Sequence, residues 1–284
     1  MRVASVVFEG DQRVAVCGDG ENWQLIDARK HPAVQSVKAL ISGVHQAKSV
    51  LAGAADVDVN DLRFMTPIAS PEKIICVGKN YEQHAQEMGS EKPELPVIFN
   101  KLASCLIADS ESIELPGISN KVDYEGELVV VIGQSGRNIE RERAMEHVFG
   151  YTIGNDVTAR DWQKGRPGGQ WLLGKSFDTF APVGPWIVTA EAVNDPQNLL
   201  IELTLNDQVM QSARTSDMIF PIDYLISHIS KFFTLKAGDL LFTGTPAGVG
   251  AGRDPEVYLK SSDQVTVSIE GIGKLSNTVV MASQ

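Results

Sequence analysis

The chain has 284 residues, 43% of them hydrophobic and 21% charged, an ordinary globular composition with apolar material for one large domain, or for a large and a small one. Its 36 acidic against 25 basic residues give a formal charge of -11, which argues against nucleic acid or an anionic membrane as partner. Cys17, Cys76 and Cys105 lack paired or metal-type spacing and are expected as small core residues of a reducing compartment, without disulfides.

The opening "MRVASVVFEGDQRVAVCGDG" alternates apolar and polar residues up to a turn, which predicts a hairpin in a cytoplasmic protein rather than a signal peptide. No apolar run reaches the ~20 residues of a membrane helix, so a soluble chain is expected. "RVASVVF", "RVAVCG" and "NWQLID" read as short strands, and "AVQSVKALISGVHQAKSVLAG", residues 33 to 53, carries apolar residues at helical spacing. The two prolines of "DLRFMTPIASPEK" mark a boundary near residue 70. The expected organisation is a small N-terminal α+β domain, 1–70, and a larger domain, 71–284.

Beyond it strands dominate: "KIICVG", "PVIFNK", "SCLIAD", "GELVVVIG", "LLIELTLNDQVMQ", "DLLFTG" and "QVTVSIEGIGKLSNTVV". Helical stretches are fewer: "YEQHAQEM", "ERERAMEHVFGY" and "PIDYLISHISKFF". Without regular strand and helix alternation, a β-rich α+β fold is preferred to a doubly wound parallel sheet.

In "VDYEGELVVVIG", residues 122 to 133, Glu125 and Glu127 precede five apolar residues, Leu128 to Ile132. Strand positions two apart share a face, and the apolar run reads as a strand buried on both sides. Two buried anions on one face need a cation between them, or one must hold a proton. Asp156, in "YTIGNDVTARDWQ", comes after a turn signal; with the glutamates it offers an all-oxygen set suited to Mg²⁺ or Mn²⁺ rather than zinc. Alone, a Glu-x-Glu pair is equally a solvated or salt-bridged strand face.

In "GKNYEQHAQEMG" a short helix would put His84 and Glu87 on one face, as a dyad able to activate water or as an exposed i, i+3 pair. Its flanking glycines suggest a lid. Lys175, among the aromatics of "QWLLGKSFDTFAPVGPW", is a candidate for stabilising enolate charge, or pairs with Asp178 or another acid. "FTGTPAGVG" offers hydroxyl and backbone donors around Thr243, Gly244 and Thr245 for a substrate carboxylate, or is a strand-ending turn. His31, His45, His147 and His228 lack partners at telling spacing and are expected to be structural. No Gly-x-Ser-x-Gly elbow occurs.

Taken in order, "KIICVGKNYEQHAQEMG", "VDYEGELVVVIG", "GNDVTARDWQ", "GGQWLLGKSFDTFAPVGPW" and "LFTGTPAGVG" resemble the shorter, bacterial-type members of the fumarylacetoacetate hydrolase family over roughly residues 70 to 280. The resemblance implies a mixed β-sandwich or β-roll catalytic domain. It implies metal ligands at Glu125, Glu127 and Asp156, with Mg²⁺ the usual ion and Mn²⁺ or Ca²⁺ as alternatives. It places the catalytic dyad at His84 and Glu87, the active-site lysine at Lys175, and substrate contacts at Arg160, Gln163, Gly244 and Thr245. The implied reaction is hydrolysis of a carbon–carbon bond in an acylpyruvate or 2,4-diketo acid. Oxaloacetate decarboxylation and keto-acid isomerisation on the same site are alternatives, as is a keto-acid binding protein with little turnover. A keto-acid substrate and a homodimer are the expected partners, with neither nucleic acid nor membrane.

Overall fold

The apolar run after Glu127 lies in the strand Gly126–Ile132, buried along its whole length. A computed structural model describes residues 1–18, 22–27, 29–43 and 55–282. In it this strand runs antiparallel to Val148–Asn155 on one side and to Leu240–Phe242 on the other. Its even-numbered residues Leu128, Val130 and Ile132 enter one core, and Val129 and Val131 enter a second on the opposite face. That alternation is what a central strand covered on both sides requires.

The large sheet has twelve strands. Its main path runs Ala55–Val57, Trp23–Leu25, Asp11–Cys17, Arg2–Phe8, Ala181–Thr189, Val148–Asn155, Gly126–Ile132, Leu240–Phe242, Ile74–Gly78, Val97–Asn100. A second sheet orders Gln208–Arg214, Leu200–Leu205, Gln264–Ile269, Gly273–Met281 and Ile113–Leu115. Ile201, Leu203, Val265 and Val267 of this sheet share a core with Leu128 and Val130, so the two sheets form a sandwich. On the other face of the large sheet, Val129 and Val131 share a core with Val37, Leu40 and Ile41 of the helix Val37–Ser42. Ser36 caps that helix, its Oγ accepting from the Ala39 amide at 3.1 Å. The rest of the helix expected up to residue 53, with His45, lies outside the described residues.

Residues before position 70 extend the same sheet, Arg2 standing opposite Val188. A cluster of Trp23, Phe64 and Trp186, with ring centroids 5.3 to 5.7 Å apart, joins them to the strand Ala181–Thr189. Two elements differ from expectation. "ERERAMEHVFGY" is a 3₁₀ helix only over Arg141–His147, because the apolar residues from Val148 onward pair in the large sheet. "LLIELTLNDQVMQ" is a hairpin, turned at Asn206 and Asp207, whose φ values of 49° and 65° suit a two-residue hairpin turn. Among the described residues no helix is long and apolar enough to cross a membrane.

Tyr81, Tyr124 and Tyr151 are buried, and burial raises all three phenols, that of Tyr124 to about 12 with Asp123 adding to it. A phenol raised in the folded state contributes stability that is complete below its unfolded value of 10.0 and is lost as pH rises toward the folded one. Phenolate absorbance is therefore expected to show these tyrosines ionising above pH 10 together with loss of secondary structure. Ionisation of every tyrosine near pH 10 with the fold intact would contradict this.

Candidate active site

The pairing of Gly126 with Asn155, and of Glu127 with Gly154, brings the next residue, Asp156, beside Glu125. The Asp156 amide donates to the Glu125 carbonyl at 2.8 Å. One carboxylate oxygen from each of Glu125, Glu127 and Asp156 lies within 4.8 Å of the others. All three side chains are buried, so three carboxyl groups share a small volume.

Cations hold two of them. Lys175 Nζ donates to Glu125 Oε2 at 2.6 Å and to Asp156 Oδ2 at 2.7 Å, and Lys101 Nζ donates to Asp156 Oδ1 at 2.6 Å. Arg160 reaches Glu125 Oε1 through Nη2 at 2.6 Å, Asp123 Oδ2 through Nε at 2.8 Å, and Gln163 Oε1 through Nη1 at 3.1 Å. Lys175 therefore pairs with the cluster and not with Asp178. Burial works against charge on Glu125, but Lys175, Arg160 and His84 outweigh it and hold its carboxyl far below the usual range. Burial likewise opposes charge on Lys175 and Arg160, and the carboxylates around them keep both protonated.

Glu127 is different. It accepts the Gly244 amide at 2.7 Å, and among the described residues no lysine or arginine nitrogen lies within 4.0 Å of it. Burial, then Asp156 and Glu125, push its carboxyl well above the usual range. Asp123, Glu125, Glu127 and Asp156, four buried carboxylates, face three buried cations, Lys101, Arg160 and Lys175. The carboxyl left without a cation, Glu127, and the all-oxygen donor set fit a hard divalent cation held by Glu125, Glu127 and Asp156.

Arg160 compensates two of these anions at once. Arg160→Met is expected to destabilise the protein by about 3–5 kcal/mol, because it leaves the buried Asp123 without its cation and Glu125 with Lys175 alone. Chemical denaturation measures this, and an unchanged midpoint and slope would contradict it.

His84 lies on the short helix Glu82–Glu87, one turn from Glu87, with Nδ1 2.7 Å from Glu87 Oε1. The other oxygen of Glu87 accepts the Gly248 amide at 2.9 Å. Two residues on in the same loop, the Gly250 and Ala251 amides donate to Asp123 at 2.7 and 3.0 Å, and Asp123 in turn holds Arg160. Gly248 has φ +106°, and a Cβ there would fall 2.0 Å from the Met210 carbonyl oxygen, so the loop needs glycine at this point.

His84, Glu125, Glu127, Arg160, Lys175 and Thr245 line one pocket of about 490 Å³ measured out to its mouth. Gln163 lines it as well, its Oε1 accepting from Arg160. The donors expected at the "FTGTPAGVG" turn are largely engaged inside the protein. The Thr243 hydroxyl donates to the Leu128 carbonyl, the Gly244 amide to Glu127, and the Thr245 hydroxyl to the Gly126 carbonyl while accepting from Gln211. His147 and His228 lie away from this pocket, His147 bonded to the Gln134 carbonyl and His228 stacked on Tyr224.

The site and the sandwich around it define a class. The family model of the fumarylacetoacetate (FAA) hydrolase C-terminal region matches residues 73–280, and the chain belongs to the fumarylacetoacetate hydrolase family. Among curated proteins it is similar to the mitochondrial oxaloacetate tautomerase fahd2 of Xenopus laevis, 46% identical over 240 residues, 84% of this chain and 75% of that one. Among solved structures it resembles a putative HpcE protein from Mycobacterium smegmatis, 35% identical over all of both chains with a TM-score of 0.89. It also resembles maleylpyruvate hydrolase from Sphingobium sp. SYK-6, solved with manganese(II) and pyruvate, 31% identical over all of both chains with a TM-score of 0.82.

Proposed function

We propose that this protein is a divalent-cation-dependent enzyme of 2-oxo acids, and that its reaction is keto–enol tautomerisation of oxaloacetate or a close analogue. The observation that carries this is His84, oriented by Glu87 and lining the same pocket as Glu125 and Glu127, two of a buried triad of carboxylates completed by Asp156. The likeness to oxaloacetate tautomerases at 46% identity supports the choice of reaction.

Tautomerisation needs one proton removed from the carbon beside the oxo group and one delivered to the oxygen. An ionised Glu87 accepts only, so it fixes the hydrogen of His84 on Nδ1 and leaves the Nε2 lone pair as the base. His84 takes a proton from the carbon, and in the reverse direction returns it. Lys175, kept protonated by Asp156 and Glu125, stabilises the charge that develops on the oxygen, which then takes its proton from solvent while His84 returns the carbon's proton to solvent. Arg160 and the Gln163 amide orient the acid group. A divalent cation, when bound by Glu125, Glu127 and Asp156, would withdraw electron density from the oxo group and favour the enolate.

Hydrolysis of acylpyruvates is the second reading, supported by the likeness to maleylpyruvate hydrolase. There His84 would deprotonate a water; its oxygen bonds to the distal carbonyl carbon, the carbon–carbon bond breaks, and its electron pair leaves as the pyruvate enolate, which is then protonated.

The deciding experiment monitors enol absorbance and pyruvate together, with Mg²⁺ or Mn²⁺ and with chelator, on oxaloacetate and acetylpyruvate. Cation-dependent enol decay of oxaloacetate without pyruvate supports the tautomerase. Stoichiometric pyruvate from acetylpyruvate with no effect on oxaloacetate enol replaces it with the hydrolase, and pyruvate from oxaloacetate alone replaces it with a decarboxylase.

A further inference from the structure

We propose that Lys164 and Lys79 form a receptor for a second carboxylate, so that the pocket selects 2-oxo dicarboxylates over 2-oxo monocarboxylates. This rests on the oxo-acid reading above and names the substrate class for that site.

The pocket has two unlike ends. Its buried end holds Glu125, Glu127 and Lys175, while Lys79 is half-buried and Lys164 exposed, at the solvent side. The buried cations are already matched, Lys101 to Asp156, Lys175 to Glu125 and Asp156, and Arg160 to Asp123 and Glu125. Lys79 and Lys164 are not: Lys79 Nζ bonds the Ser90 hydroxyl, a neutral partner. Among the described residues neither lysine has a carboxylate within 4.0 Å.

The surroundings of both lysines disfavour their charge. Burial and the neighbouring Arg160 lower the ammonium of Lys79, and burial, Arg160 and Lys79 lower that of Lys164. Lys79, Arg160 and Lys164 therefore line one pocket and disfavour one another's charge, in a chain whose formal charge is -11. An anion seated between the lysines relieves this repulsion and gains two charge-assisted hydrogen bonds. Trp171 and Phe99, with ring centroids 5.2 Å apart, form an apolar stretch of the same wall and suit the short carbon chain of a small diacid.

Direct binding tests the assignment without turnover. Pyruvate carries the oxo-acid end alone; 3,3-difluoro-oxaloacetate carries both carboxylates and has no hydrogen to enolise. Calorimetric titration of the Mg²⁺-loaded wild-type protein is expected to show the diacid bound about tenfold or more tighter than pyruvate. Lys164→Gln should weaken diacid binding about tenfold, and Lys79→Gln with Lys164→Gln should remove the preference, with pyruvate affinity within about twofold of wild type. Lys164→Arg should restore most of the diacid affinity, and melting midpoints of all variants verify folding. Variants that keep the wild-type preference, or that weaken both ligands equally, overturn the receptor while leaving the oxo-acid reading in place. A wild-type protein that binds neither ligand overturns the reading itself and the receptor with it.

Discussion

Turnover by the His84→Ala protein is expected to fall about a hundredfold to ten-thousandfold, with KM changing far less, since a positioned general base acts in the chemical step. The fold should survive. His84 sits on a six-residue helix, and Glu87 keeps the Gly248 amide when its imidazole partner is removed. Glu87→Gln separates two roles of the carboxylate. Glutamine can still accept from Gly248, but it is a neutral partner that no longer compels the hydrogen onto Nδ1. An intermediate loss in kcat is therefore expected. Unchanged kcat in His84→Ala, measured on every substrate the wild type converts, would show that proton transfer runs through another group.

The second large effect is expected at Glu127. Glu127→Gln should lower cation affinity by about a hundredfold or more and abolish cation-dependent turnover, yet leave the melting midpoint of the cation-free protein unchanged or raised. Glutamine matches glutamate in shape and still gives Gly244 an acceptor, but it removes the repulsion with Asp156 and Glu125 that burial intensifies. In the wild type, Mn²⁺ at about a hundred times its dissociation constant should add about 2.7 kcal/mol of stability, seen as a rise in melting temperature. In Glu127→Gln that rise should vanish. Persistence of the full rise would place the cation elsewhere.

Much of this site is open to sequence reasoning, for definable reasons. The period of two along a strand puts Glu125 and Glu127 together, and the apolar run after them announces burial. The same rule carried one step back reaches Asp123, whose carboxylate anchors Arg160, so the signal for this residue lies inside "VDYEGELVVVIG" although the metal-type pattern draws attention only to the glutamates. Lys101 has no such signal. It stands in "IFNKLASC" like any surface lysine, and only the fold brings its Nζ to 2.6 Å from Asp156. Asp156 is a candidate neighbour of the glutamates by residue type, but the contact depends on hairpin register, which a lone strand pattern does not specify. The helix expected through Val148 fails for a similar reason. Charge spacing in "ERERAMEH" looks helical, but pairing with the central strand sets the conformation from Val148 onward. The donors of "FTGTPAGVG" are not free as expected, because satisfying buried carbonyls and carboxylates takes precedence over leaving groups open for a ligand.

The loop from Gly248 to Ala251 gives the His84–Glu87 pair and Arg160 one shared footing, through Glu87 on one side and Asp123 on the other. A displacement of that loop moves both together, so the spacing between base and arginine is conserved against small motions. The same linkage makes the two hard to retune separately: a substitution that adjusts one disturbs the other. Wall positions that the loop does not hold, such as Lys164, are free of this linkage, so a substitution there leaves the His84–Glu87 geometry intact.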